Sequence, residues 1–145
     1  NDYKKIHLTY QSESIKNINS ISYYKDALNI IKFFNKKKFI LSIMTSKDSK
    51  RTKFFLGKNK KYFTYIGCHN KKFKGKPHPY LINKLIKKLN VEKSDCVYIG
   101  DTNIDYQTAK NSKIDFVFAQ WGYGKNLNYK YKCRNFLELK RLFSL

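Results

Sequence analysis

The side chains able to do chemistry fall in short clusters, each placed just after an apolar run. Gly100-Asp101-Thr102-Asn103-Ile104-Asp105 follows Cys96-Val97-Tyr98-Ile99 directly. Gly100 allows the backbone to turn sharply at the end of that run. Asp101 and Asp105 stand four apart, so a helix beginning near Asn103 brings both carboxylates to one side of its first turn. Two converging carboxylates make a hard, anionic oxygen site suited to Mg²⁺. The same pattern also reads as ordinary capping, with an acid before or in the first turn facing the positive helix end. Thr45 and Ser46 follow Phe39 to Met44 and precede Asp48. A hydroxyl there can hold a phosphate oxygen, helped by the N–H groups of the next helix, or can simply shape a turn. Lys76 lies in Gly75-Lys76-Pro77-His78-Pro79, a rigid turn opening an apolar helical run, where an ammonium can neutralise a phosphate and a nearby carboxylate. Trp121-Gly122-Tyr123-Gly124 reads equally as a substrate-side loop or as a glycine turn beneath a core aromatic. His69 and His78 read as bystanders: neither has a partner at metal-ligand spacing, and His78 sits between two prolines.

These clusters need elements to carry them, and the chain alternates two periodicities. The spacing predicts helices over Ser22 to Asn35, Asp48 to Leu56, Pro79 to Leu89, Ile104 to Asn111 and Asn135 to Phe143. The clearest is Pro79 to Leu89, where Leu81, Ile82, Leu85, Ile86 and Leu89 mark one face. In the last helix Phe136, Leu139, Leu142 and Phe143 are expected to face inward. Short apolar runs predict strands over Phe39 to Met44, Tyr62 to Ile66, Cys96 to Ile99 and Phe116 to Ala119. Helices alternating with nearly all-apolar strands predict an α/β fold, a Rossmann-like parallel sheet covered on both faces. Ligands in such sheets sit at the carboxyl ends of the strands, where every cluster above lies.

Composition narrows the class. A chain of 145 residues with 41% apolar and 17% aromatic residues can bury a core. No apolar run approaches the roughly 20 residues of a membrane helix. Three cysteines without metal-like or CxxC spacing read as free thiols in a reducing, cytoplasmic setting. The net charge of +21 invites a nucleic-acid reading. However, 28 of the 31 basic residues are Lys, spread evenly, whereas readers of nucleic acid favour the planar fork of Arg. The charge therefore suits an anionic small substrate without demanding a nucleic-acid partner.

Taken in order, the clusters resemble the haloacid dehalogenase superfamily, close to its phosphoglycolate-phosphatase-like members with a helical cap. Leu41-Ser42-Ile43-Met44-Thr45-Ser46-Lys47 resembles the family's second motif, Lys74-Gly75-Lys76-Pro77-His78-Pro79 its third, and Val97 to Asp105 its fourth. Trp121 to Gly124 sits where relatives often carry an aromatic-glycine loop. The likeness runs from about Ser22 to Leu145. It implies a core over residues 22–145, with residues 1–21 as the end of a helical cap and its return linker. It also implies Thr45, Ser46 and Lys76 as the phosphate-binding residues, Thr45 and Lys76 acting in catalysis, and Asp101 with Asp105 as the acids at Mg²⁺.

Two departures stand out. Asn111-Ser112 replaces a small Ala-Gly pair that relatives often carry there. More seriously, the family's first motif, an Asp-x-Asp pair after the first strand, has no counterpart in these 145 residues. In the family the first Asp attacks phosphorus and the second acts as acid and base. The resemblance thus implies a Mg²⁺-dependent phosphatase of small phosphorylated metabolites whose nucleophile lies upstream of this chain, the chain alone being inactive. A non-catalytic phosphate-ligand or partner-binding relative, and a basic nucleic-acid binder or nucleic-acid-end phosphatase, remain alternatives. A dehalogenase shares the fold, but the paired acids favour a metal that dehalogenation does not need. Substrate identity and oligomeric state are not legible.

Overall fold

The computed structural model describes residues 2–68, 73–124 and 129–144. His69, one of the two histidines weighed above, lies outside them. The elements are α1 (Asp2–Lys16), α2 (Ala27–Lys36), β1 (Ser42–Thr45), α3 (Ser49–Leu56), β2 (Tyr65–Cys68), α4 (Tyr80–Leu89), β3 (Val97–Gly100), α5 (Asn103–Ser112), β4 (Asp115–Ala119), β5 (Tyr131–Cys133) and α6 (Phe136–Leu142).

Strand β4 shows why two layers of helices form. Its alternate side chains go to opposite faces, as strand geometry requires. Val117 packs with Ile30 and Phe34 of α2, Cys133 of β5 and Leu139 of α6. Phe116 and Phe118 pack on the other face against Ala109 of α5, beside Tyr98, Tyr106 and Tyr129. A five-residue strand buried on both sides, with Val117 and Phe118 each 1% exposed, is thus the centre of the molecule. This is the α/β architecture expected from the alternation of periods.

All strand pairs are parallel, but they divide into two sheets. β1 pairs with β2 in the register Ser42 to Tyr65 through Thr45 to Cys68. β3 pairs with β4, and β4 with β5. Among the described residues no ladder joins β1 to β3. Across that gap the Tyr98 hydroxyl donates to the Met44 carbonyl at 3.3 Å. Val97 and Ile99 of β3 are 36% and 40% exposed, and the Ser42 hydroxyl is buried without a partner.

Several boundaries differ from the sequence expectation, each for a tertiary reason. The helix expected from Ser22 begins at Ala27, because Tyr23 packs against Phe55 in a tilted ring contact and Asp26 takes a left-handed φ of 64°. The strand expected from Phe39 begins at Ser42, after a positive φ at Lys38, and Phe39 and Ile40 stay exposed outside the ladder. The strand expected over Tyr62 to Ile66 shifts to Tyr65–Cys68, the segment in register with β1. β5 was absent from the sequence reading. In α6 Leu139 is buried, but Leu142, expected inward, is 45% exposed. The three cysteines are free thiols, and no helix among the described residues is long and apolar enough to cross a membrane.

Because Phe118 fills the layer between sheet and α5, Phe118→Ala should cost about 3–5 kcal/mol in urea unfolding. Leu142→Ala should change stability by no more than about 0.5 kcal/mol. Equal costs at the two positions would contradict this assignment of the core.

Candidate active site

The site grows from the carboxyl ends of β1 and β3, and α5 sets its charge. Thr102 is the N-cap of α5 and Asp105 its third residue, and the two close a capping box. The Thr102 hydroxyl donates to Asp105 Oδ2 at 2.7 Å and accepts the Asp105 N–H at 3.2 Å. The backbone N–H groups of Asp101 and Thr102 also donate to Oδ2, at 3.3 and 3.1 Å. The other oxygen, Oδ1, receives the Lys76 ammonium at 2.7 Å and, at 3.3 Å, the Tyr98 hydroxyl, whose single proton it shares with the Met44 carbonyl. Gly100 is needed where this carboxylate folds back, since a Cβ there would lie 2.4 Å from that of Asp105.

Lys76 and Asp105 form a partly buried ion pair, with side chains 19% and 8% exposed. Burial pushes the Asp105 carboxyl up, but the hydrogen bonds from Lys76 and Thr102 outweigh it and hold the group below the usual carboxylate value. Tyr98 lies beneath the ammonium, 5.2 Å from ring centroid to Nζ. Burial, then the Asp105 charge, raises its phenol far above the ordinary value, so its hydroxyl is a permanent donor.

Asp101 is held differently. The Tyr123 backbone N–H donates to its Oδ2 at 2.7 Å. A Cβ on Gly122 would fall 2.2 Å from that oxygen, and one on Gly124 would fall 2.0 Å from the Asp101 carbonyl. The loop Trp121 to Gly124 therefore wraps this carboxylate, and its glycines are required by close approach. Trp121 meanwhile packs on Phe136, 4.4 Å between centroids. The reading as a glycine turn beside a packed aromatic is thus the one the contacts show.

At the end of β1 the Lys47 N–H donates to Thr45 Oγ1 at 3.1 Å, which leaves the hydroxyl proton free to donate. Asp48 caps α3, accepting the Arg51 N–H at 2.9 Å, and its side chain also pairs with the Arg51 guanidinium. Thr45, Ser46 and Lys76 line one cavity of about 20 Å³, room for about one water. His78 and Thr108 line it too. Thr45, Ser46 and Lys76 are thus brought to one cavity and Asp105 is paired with Lys76, whereas the Asp101 carboxylate faces the loop Trp121 to Gly124; Tyr98 and His78 lie beside the cavity group. Tyr98 was legible as a buried phenol that needs a partner. His78 carried no signal beyond its place two residues after Lys76.

The donor set bears on a divalent cation. Five donors converge on Asp105, which fills the roughly four lone-pair positions a carboxylate offers. Asp101 Oδ1 has no hydrogen bond among the described residues. The pair expected to act together therefore divides: Asp101 has an oxygen for a cation, while Asp105 is occupied by protein donors. No group of three acids, His or Cys suited to a metal occurs among the described residues.

A family model described as haloacid dehalogenase-like hydrolase matches residues 1–119. The chain belongs to the haloacid dehalogenase-like hydrolases. Phosphoglycolate phosphatase of Colwellia psychrerythraea is 42% identical over 55 residues, covering 37% of this chain and 24% of that protein. The enzyme of that name from Xylella fastidiosa is 38% identical over 48 residues, 33% of this chain and 21% of that protein. These matches span only a minor part of both relatives. A haloacid dehalogenase-like family protein from Streptococcus pneumoniae superposes with a TM-score of 0.83 at 18% identity, covering 98% of this chain and 70% of that one. A subfamily IA hydrolase of the same superfamily from Geobacter sulfurreducens gives 0.72 at 17% identity, covering 92% and 66%. At such identities the superpositions show a common fold, the Rossmann-like core of this family.

Because Asp105 titrates below its usual value of 3.8 when folded, its stabilising effect is complete above that value. It drains away as pH falls through the lower folded value. Asp105→Asn should therefore lower unfolding free energy by about 2–4 kcal/mol near neutral pH, leaving Lys76 partly buried and unpaired. The deficit should narrow as the solution is acidified below 3.8, measured by urea melts. A deficit constant with pH would remove the ion pair as its cause.

Proposed function

We propose that residues 22–145 are the greater part of a phosphatase core acting on small phosphate monoesters, with residues 1–21 the end of its helical cap and return linker. The observation that carries this reading is the meeting of Thr45, Ser46 and Lys76 in one cavity at the end of β1, with Lys76 paired to Asp105 at the end of β3. The kinship with phosphoglycolate phosphatases favours a phosphorylated metabolite as substrate.

The divided sheet suits a further strand between β1 and β3. Two inter-strand spacings amount to about 9.5 Å, a gap that a tyrosine side chain and one hydrogen bond can reach across. Such a strand would cover the open edges and bring an aspartate to the level of Thr45. That aspartate attacks phosphorus, an aspartyl-phosphate forms as the ester P–O bond breaks, and a second acid gives the leaving oxygen its proton. Water then cleaves the acyl phosphate and restores the aspartate. In this scheme Thr45 and Ser46 donate to non-bridging oxygens, and Lys76 balances their charge. Asp105 holds the ammonium in place, and Asp101 offers an oxygen to Mg²⁺, which keeps several waters and binds through few carboxylates. The ion, when bound, offsets charge on the transferring phosphoryl group. The sequence carries no Asp-x-Asp pair, so on this reading the segment alone binds phosphate without turnover. Three free thiols fit a cytoplasmic setting.

The charge of +21 supports a second reading, in which the phosphate belongs to a nucleic-acid end. Salt separates the two. Binding of a terminally phosphorylated oligonucleotide that falls steeply with salt would favour it, and a shallow dependence would favour the metabolite.

Phosphate release from small monoesters by the full-length protein should require Mg²⁺ and should fall at least about 100-fold in Lys76→Ala. Asp101→Asn should raise the Mg²⁺ concentration needed for half-maximal rate. Unchanged behaviour in both variants would sink the phosphatase reading.

A further inference from the structure

His78 has a defined orientation that the scheme above leaves unused. Its backbone N–H donates to the Gly75 carbonyl at 2.9 Å, closing the turn after Lys76. The Pro77 carbonyl between them accepts the Asn111 side-chain amide at 2.9 Å, which ties the turn to α5. The imidazole is fixed as well: the Tyr80 N–H, first of α4, donates to His78 Nδ1 at 3.2 Å. A ring nitrogen that accepts carries no proton, so the ring proton sits on Nε2. No hydrogen bond reaches Nε2 among the described residues. The residue lines the same small cavity as Thr45, Ser46 and Lys76. The volume there admits about one water and not a substrate, so a phosphate would seat at the mouth of the cavity.

We infer that His78 is a substrate-contacting residue of this site, its Nε2–H donating to a peripheral oxygen of the bound phosphoryl group beside the Lys76 ammonium. The inference rests on the phosphate reading. It adds what that reading lacks, a neutral directional donor on the side of the site formed by α4. Thr45 and Ser46 donate from the end of β1, and Lys76 supplies charge without a fixed direction, since an ammonium is a rotatable point donor. A histidine whose second nitrogen is tied to a helix N–H presents its donor at a set angle.

Three variants separate this role from capping of α4. In His78→Ser the hydroxyl can still accept the Tyr80 N–H but is too short to reach the cavity. In His78→Gln the amide N–H₂ lies near the position of Nε2. Binding of inorganic phosphate to the full-length protein, followed by titration calorimetry, should weaken on the order of tenfold in His78→Ser, the loss of one charge-assisted hydrogen bond. It should recover most of that in His78→Gln, with melting temperatures alike. If Lys76→Ala weakens phosphate binding and His78→Ser does not, His78 is only a cap and the inference is overturned. If Lys76→Ala leaves phosphate affinity unchanged, the phosphate reading itself falls and this inference falls with it.

Discussion

The partly buried pair of Lys76 and Asp105 is the contact on which the geometry of the site depends. It joins two segments 29 residues apart in sequence, and each end is fixed by a different element. The carboxylate is held by the first turn of α5, and the ammonium by a turn that α5 also anchors through Asn111. Both charges are largely removed from water, and each is the other's counter-charge at 2.7 Å. The donors to the Asp105 carboxylate outweigh its burial. Such arrangements are poor sources of net stability and good sources of fixed direction.

From this pair the remaining features follow in sequence. Asp105 can fold back only because Gly100 has no side chain. Once folded back, it organises the N–H groups of Asp101 and Thr102 about itself. That fixes the Asp101 backbone, and the loop Trp121 to Gly124 closes over the Asp101 side chain only because Gly122 and Gly124 leave room. Trp121, at the other end of that loop, is anchored in the core layer between α2 and α6. The core and the site therefore share one strand end and one loop. Perturbing the packing of Trp121 would be felt at Asp101, although the two side chains do different work.

Much of this was legible from sequence, and the reason is local. Asp101, Asp105, Thr45 and Lys76 sit at element ends, where type and spacing carry the signal, and a capping box needs only four residues to declare itself. What was not legible required knowledge of neighbours in space. β5 is three residues long with Lys132 at its centre, and it forms because Val117 to Ala119 offers a free edge. The start of α2 is decided by Tyr23 reaching Phe55, a partner 32 positions away. The division of labour between Asp101 and Asp105 was hidden for the same reason. Four-residue spacing brings both acids together, but only Tyr98 and Lys76, arriving from elsewhere, saturate one of them.

The separation of β1 from β3 also has a physical logic. In a doubly covered parallel sheet the central strands should be the most buried, and β4 obeys this rule while β3 does not. Val97 and Ile99 expose apolar surface on a strand that should be central, and the buried Ser42 hydroxyl has no hydrogen-bond partner among the described residues. Unpaired strand edges of this kind are templates for another strand. The Tyr98 hydroxyl meets the Met44 carbonyl, an acceptor that an adjoining strand would otherwise engage. One side chain therefore stands where a ladder would stand, and it belongs to the residue that also supports the Lys76–Asp105 pair. The Tyr98 hydroxyl thus lies between the Met44 carbonyl at the end of β1 and the carboxylate that holds the ammonium.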